Sequence, residues 1–268
     1  MSRRAPNEFV FLGTGTAVPT PRRAPSGAII AADDEVTLVD PGPGAVKRAC
    51  DAGFPVERID TVLLTHHHPD HCLDVVAVLF ALKNPALAKR AHPLTILGGP
   101  GTKSLLERLR DVFGGWITLP PEQLTVLELA PGPFQLGALE AEATPIRHSP
   151  ASLAYRVRIP SPDGSPFILA LSGDTDVCPG AVEVARGADA YVLEAAFPDE
   201  SPVEGHLTPR SAARIAAEAG CHHLILTHFY PPVDVEVARQ RVGEIFTGRV
   251  TIAEDGLRIP LRAVESDP

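Results

Sequence analysis

The sequence predicts a layered α/β fold with β-sheets sandwiched between helices. Three observations carry that expectation. Short β-type runs alternate with helical patterns toward both ends of the chain, five β-type runs follow one another in its middle third, and no repeat or long linker separates them. The 268 residues are therefore read as one domain, 1–268, and a 44% hydrophobic content is enough to fill its core.

Phe9–Leu12, Ala28–Ala32 and Val36–Val39 read as strands broken by Gly-, Pro- and Asp-rich turns. Thr61–Thr65 is a continuous apolar run, the pattern of a strand buried on both faces, and Leu73–Lys83 suits a helix. Leu94–Leu97 is a strand, and Gly98-Gly99-Pro100-Gly101 leads into a helix from Lys103 to Val112. The consecutive middle strands are Gln123–Leu129, Phe134–Leu136, Leu139–Ala143, Ala154–Ile159 and Phe167–Leu171, with a turn at Pro162-Asp163-Gly164-Ser165. Alternation then resumes with strand Ala190–Leu193, helix Pro209–Ala219, strand His223–Thr227 and helix Val235–Phe246. Thr208-Pro209 has the residue types of an N-cap and first helical position, and Gly220 those of a helix stop.

A formal charge of −9 argues against a dedicated nucleic-acid binder, because phosphate affinity needs clustered Lys and Arg; a short nucleotide is compatible with it. Cys50, Cys72, Cys178 and Cys221 are widely spaced and suit a reducing compartment better than a disulfide framework. The segment Met1–Glu8 runs into an apolar stretch too short for a signal peptide, and no run approaches a membrane span. The expectation is a soluble cytoplasmic protein with no membrane partner.

The chemistry concentrates in Thr65-His66-His67-His68-Pro69-Asp70-His71. It sits where a buried strand gives way to a helix, at the strand's carboxyl end, where α/β proteins place ligand sites. Imidazole nitrogen and carboxylate oxygen are the donors that zinc and similar divalent ions accept, and a tight turn lets them diverge toward two neighbouring ions. His66-x-His68-x-Asp70-His71 resembles the hallmark of the metallo-β-lactamase superfamily. Phe11-Leu12-Gly13-Thr14-Gly15-Thr16 with Pro19 and Arg23, Val39-Asp40-Pro41-Gly42, Ser172-Gly173-Asp174-Thr175, Glu194-Ala195-Ala196-Phe197 and Gly205-His206-Leu207-Thr208 are similar to segments of its ribonuclease Z and phosphodiesterase branch.

That resemblance, spanning Phe9 to Phe229, implies the αββα sandwich of two mixed sheets flanked by helices. It implies two divalent metal ions, zinc or else manganese or iron. His66, His68 and His148 would hold one, Asp70, His71 and His228 the other, and Asp174 would bridge them, with Asp40 supporting the ligands from behind. Asp70 would also orient the attacking water. His206 would be the general acid for the leaving alkoxide, and Glu194 would hold its imidazole.

The implied activity is hydrolysis of small or cyclic nucleotide diesters or short RNA ends, with no long nucleic acid held stably. Lactone, thioester or β-lactam opening, transfer-RNA 3′ processing and metal binding without catalysis are the alternatives. A homodimer is the family's common assembly. Two features depart from the branch. The interval from His148 to Asp174 is only 26 positions, without the long basic arm of transfer-RNA-processing relatives, and Asp74 stands where a glycine is usual. His67 is expected to be structural, His92, His222 and His223 to be without partners, and Arg22 and Arg23 either to meet substrate phosphate or to form a solvated loop.

Overall fold

Strands that are apolar along their whole length need cover on both faces, and the fold supplies it by stacking two sheets between two helical layers. The computed structural model describes residues 7–262 except 88, 89, 91, 162 and 163. The reading of the N-terminal segment therefore falls largely outside the described residues, as does the centre of the Pro162-Asp163 turn.

The first sheet contains β1 (Glu8–Gly13), β2 (Gly27–Ala32), β3 (Glu35–Val39), β4 (Thr61–Leu63), β5 (Leu94–Gly98) and β6 (Leu124–Glu128). The second contains β7 (Gly132–Leu136), β8 (Leu139–Pro145), β9 (Leu153–Ile159), β10 (Phe167–Leu171), β11 (Ala190–Glu194), β12 (His223–Thr227) and β13 (Arg249–Ile252). β14 (Arg258–Pro260) returns to the edge of the first sheet beside β1. The orders are β14-β1-β2-β3-β4-β5-β6 and β13-β12-β11-β10-β9-β8-β7. Each sheet is antiparallel in one half, through β3 or β10, and parallel in the other.

The two-residue side-chain period sorts the apolar side chains into layers. Phe9, Phe11, Ile30, Leu63, Tyr155 and Leu169 meet between the sheets. Val10, Ile29, Leu38 and Val62 face outward onto α1 (Ala45–Asp51), α3 (Val75–Leu82) and α4 (Thr102–Phe113). Tyr191, Leu193, Leu224 and Leu226 face α5 (Pro179–Glu183), α6 (Pro209–Ala219) and α7 (Val235–Gly243) on the opposite side.

α6 has the expected ends: Thr208 accepts from Ser211 N in a reciprocal capping box, and Gly220 takes φ 65°. Asp33 and Asp34 take positive φ in the β2–β3 hairpin, the backbone such a two-residue turn needs. The expected Leu73–Lys83 helix is instead α3 preceded by a four-residue turn, α2 (Pro69–Cys72). α1, α5, β13 and β14 are additions to the sequence reading. They are short, and their apolar residues are too few to establish a period.

Pairing brings the carboxyl ends of the parallel strands level. Val39 lies opposite Leu63 and Leu63 opposite Leu97, while Leu171 pairs with Val192 and Glu194 with Thr227. The loops that follow β3, β4, β10, β11 and β12 therefore emerge together at one end of the sandwich.

Candidate metal centre

The hexad is shaped by Asp40. Its carboxylate accepts from Thr65 N at 2.7 Å, Thr65 Oγ1 at 2.6 Å and His71 Nδ1 at 2.9 Å, holding a φ of +45° in doing so. His68 is extended, and Pro69 then starts α2, so the chain changes from strand to helical turn inside the motif. His66, Asp70 and His71 are buried, and His68 lies at the exposed mouth. His67 turns away, as expected, and binds Thr102 Oγ1 through Nε2 at 2.9 Å.

The second sheet closes the site. Asp174, 3% exposed, stands at the centre. His66 Nε2 is 3.7 Å, His148 Nε2 3.8 Å, His206 Nδ1 4.0 Å and His228 Nε2 3.2 Å from its Oδ2, and His71 Nε2 is 3.3 Å from Oδ1. Gly173 before it has φ 62°, and a Cβ there would meet Thr65 Oγ1 at 2.4 Å, so only glycine lets the two sheets' loops approach this closely. His148 Nδ1 donates to the Gly205 carbonyl at 2.8 Å, which leaves Nε2 facing His68 Nδ1 at 3.0 Å. His228 holds φ 59°, a conformation uncommon for a non-glycine residue, and its Nδ1 lies 3.0 Å from Ser26 Oγ.

Donor atoms of His66, His68, His148 and Asp174 lie within 4.8 Å of one another, as do those of Asp70, His71 and His228. His66 Nε2, His228 Nε2 and Asp174 Oδ1 are buried without a hydrogen-bond partner. Orphaned buried polar atoms are costly, and His66 Nε2 and His228 Nε2, each within 4 Å of the Asp174 carboxylate, fit divalent cations as their missing partners. The described residues thus have the donor set for divalent metal.

The charges of Asp174 and His66 support this. Burial pushes the Asp174 carboxyl up, but His228 and His71 outweigh it and hold it well below the usual carboxylate range. Burial, reinforced by His71, keeps His66 neutral, as a ligand must be. Burial pulls His71 down, but the carboxylates of Asp174 and Asp40 raise it well above an ordinary histidine, so a cation bound there would take the place of the proton on Nε2.

Glu194 and His206 sit beside these donors as a unit. Glu194 is 1% exposed and accepts from Thr175 N at 2.7 Å, Leu207 N at 3.1 Å, Ala196 N at 3.3 Å and His206 Nδ1 at 3.1 Å. Burial raises its carboxyl against the pull of His206. Burial lowers His206, yet the hydrogen bond and charge of Glu194 more than offset it, so the imidazole titrates above its ordinary value. With Nδ1 occupied, Nε2 is left as the proton-carrying atom.

Other residues that the sequence singled out lie outside the donor cluster. Asp74 does not join the donors: its Oδ2 accepts from Val46 N at 3.0 Å at the start of α1. Arg23 is committed within the fold, donating from Nη1 to Thr14 Oγ1 and Ala253 O at 2.7 Å and lying over the Phe229 ring. His223 has a partner, Thr251 Oγ1 at 2.8 Å, and His222 lies 3.7 Å from Asp189. Ser26 and the stacked rings of Phe197 and Tyr230, 4.6 Å apart beside His206, escaped sequence reading, since a lone serine or aromatic carries no spacing signal. Asp176, which accepts from Gly205 N at 3.1 Å and so fixes the carbonyl behind His148, was hidden beside Asp174 in the same run.

A family model described as Beta-lactamase superfamily domain matches residues 36–229, a span that runs from β3 through the final ligand candidate and Phe229. This chain belongs to the metallo-β-lactamase superfamily. It is 32% identical over 276 residues to a ribonuclease Z from Mycobacterium bovis, covering 94% of this chain and 97% of that one. A ribonuclease Z from Mycobacterium avium is 31% identical, with 96% and 99% covered. These matches place it on the ribonuclease Z branch as a metal-dependent hydrolase.

The chain spans nearly the full length of these proteins named ribonuclease Z. In fold, it superposes on the metallo-beta-lactamase fold protein YhfI from Bacillus subtilis with TM-score 0.81 at 24% identity, covering 95% of this chain and 99% of that one. The short form of human tRNase Z gives 0.75 at 24% identity and the same coverage. Yeast PDE1 gives 0.76 at 16% identity, with 96% and 100% covered. Among the described residues no helix is long and apolar enough to cross a membrane.

Proposed function

We propose that this protein is a phosphodiesterase using two divalent cations, with zinc the best match to the imidazole-rich donors, on small or cyclic nucleotide diesters or short RNA ends. The observation that carries the reading is the Glu194–His206 pair at the edge of the donor cluster. An alkoxide leaving group needs a proton, and His206 Nε2 has the position and raised basicity to deliver one.

His66, His68 and His148 would hold one cation, Asp70, His71 and His228 the other, and Asp174 would lie between them. Bound there, the cations would supply Lewis acidity toward phosphoryl oxygens and lower the pKa of water. The protein's own share is positional. Asp70 accepts a hydrogen bond from the attacking water and orients it. Glu194 fixes the His206 tautomer, and His206 protonates the departing oxygen on the other side. Asp40 and the Gly205 carbonyl keep the imidazoles of His71 and His148 aimed inward.

The match to proteins named ribonuclease Z over nearly their full length favours, as a second reading, the 3′ end of a transfer-RNA precursor. Purified protein with zinc or manganese should be offered bis(p-nitrophenyl) phosphate, 2′,3′-cyclic nucleotides, a transfer-RNA precursor, a lactone and a β-lactam in parallel. Turnover of the diesters supports the proposal, and cleavage of the precursor at the 3′ end selects the second reading. Turnover of the lactone or β-lactam alone would overturn both.

A further inference from the structure

At the opposite end of the sandwich a cavity of about 830 Å³ opens among Phe167, Asp189, the amino ends of β12 and β13, and β14. His223 begins β12 and His228 follows its end, so five residues of strand, about 16 Å, separate the cavity from the metal centre. Its volume falls in the range of small-molecule sites, roughly 300–1,000 Å³. Phe167, Leu257 and Ile259 give it an apolar wall. Arg249, Arg258, Arg262 and His222 stand exposed around that wall.

The charge is unbalanced in a direction the whole chain is not. The protein carries −9, yet among the described residues the cavity gathers three arginines and two histidines against one acid, Asp189. Asp189 is engaged, accepting from Ile168 N at 2.7 Å and lying 3.7 Å from His222. Arg258 is paired with Glu8 at 2.7 Å. Arg249 and Arg262 have no ion pair among the described residues. The charge of Arg249, acting after burial, helps push the His223 imidazole down to about 4, so His223 stays neutral and hydrogen-bonded to Thr251.

We propose that this cavity is a second binding site, separate from the metal centre, for a phosphate monoester carrying an apolar or aromatic body, the chemistry of a nucleoside monophosphate. The body lies against Phe167, Leu257 and Ile259, and the phosphate meets the guanidinium groups of Arg249 and Arg262.

Isothermal titration of the full chain with adenosine monophosphate, adenosine and inorganic phosphate tests this, with metal loaded and again after chelation. Adenosine monophosphate should bind at a site that survives chelation, at least tenfold tighter than adenosine or phosphate alone. Arg249→Glu and Arg262→Glu, singly, should each weaken that binding about tenfold while leaving bis(p-nitrophenyl) phosphate hydrolysis unchanged. Circular dichroism confirms that each variant folds, and Arg249→Lys, which keeps the charge, should restore part of the affinity. Binding that disappears on chelation, is unaffected by both reversals, or is matched by phosphate alone would overturn the proposal. Because the binding measurements require no turnover, their failure leaves the assignment of the metal centre untouched.

Discussion

The two sheets repeat one plan, antiparallel then parallel, yet they supply the candidate metal centre in opposite ways. The first delivers His66, His68, Asp70 and His71 from a single strand-to-helix turn. The second delivers His148, Asp174, Glu194, His206 and His228 from five separate loops or strand ends. A six-residue turn can aim four donors by local geometry, needing one outside support, Asp40. Dispersed donors need a network: Glu194 gathers three backbone amides and His206, and Asp176 fixes Gly205 behind His148. The halves interlock where Leu153 N donates to Thr65 O at 2.9 Å and Tyr155 Oη to Leu64 O at 2.7 Å, so β9 of the second sheet grips the start of the hexad.

The comparison can be broken first at its shared point. Asp174→Asn should cost both cation positions and lower kcat/KM by about three to four orders of magnitude, with metal content by plasma emission falling together with activity. Retention of about two ions per chain would show that the halves hold metal independently.

His206→Ala should lower kcat by about 10²–10⁴ with metal content unchanged. The loss should be larger for an alkyl diester than for bis(p-nitrophenyl) phosphate, whose leaving group needs no acid. Equal losses on both substrates would remove His206 from proton delivery.

Asp40→Asn should weaken metal affinity about 10–100-fold in chelator competition, the scale of a lost hydrogen-bond partner behind a ligand. Glu194→Gln should instead act on the pH profile. Glu194 raises the pKa of His206, and the acid works only while protonated, so the alkaline limb of kcat should move to lower pH in the variant.

The smallest effect belongs to Asp74→Ala, which removes one hydrogen bond to Val46 N. Stability should fall by about 1 kcal/mol in urea unfolding, with kcat unchanged.

Local periodicity and spacing were sufficient for the long elements and for the hexad. Continuous apolar runs such as Thr61–Thr65 imply strands covered on both faces, and Thr208-Pro209 with Gly220 marks both ends of α6 because capping is chemistry between near neighbours. Single residues such as His148, Asp174 and His228 were legible only through the family resemblance, since nothing in their local spacing distinguishes a ligand from an ordinary loop residue. Ser26, the Phe197–Tyr230 stack and the commitment of Arg23 to Ala253 were beyond sequence reading altogether. Each depends on a contact between segments far apart in the chain. By itself the sequence determined a layered α/β chain with a divalent-metal motif at a strand end, because those properties reside in contiguous residues. Only the tertiary structure decided that both sheets' parallel strands finish at one level, that five imidazoles surround Asp174, and that a cationic cavity opens at the far end, because sheet register and interlayer packing set those distances.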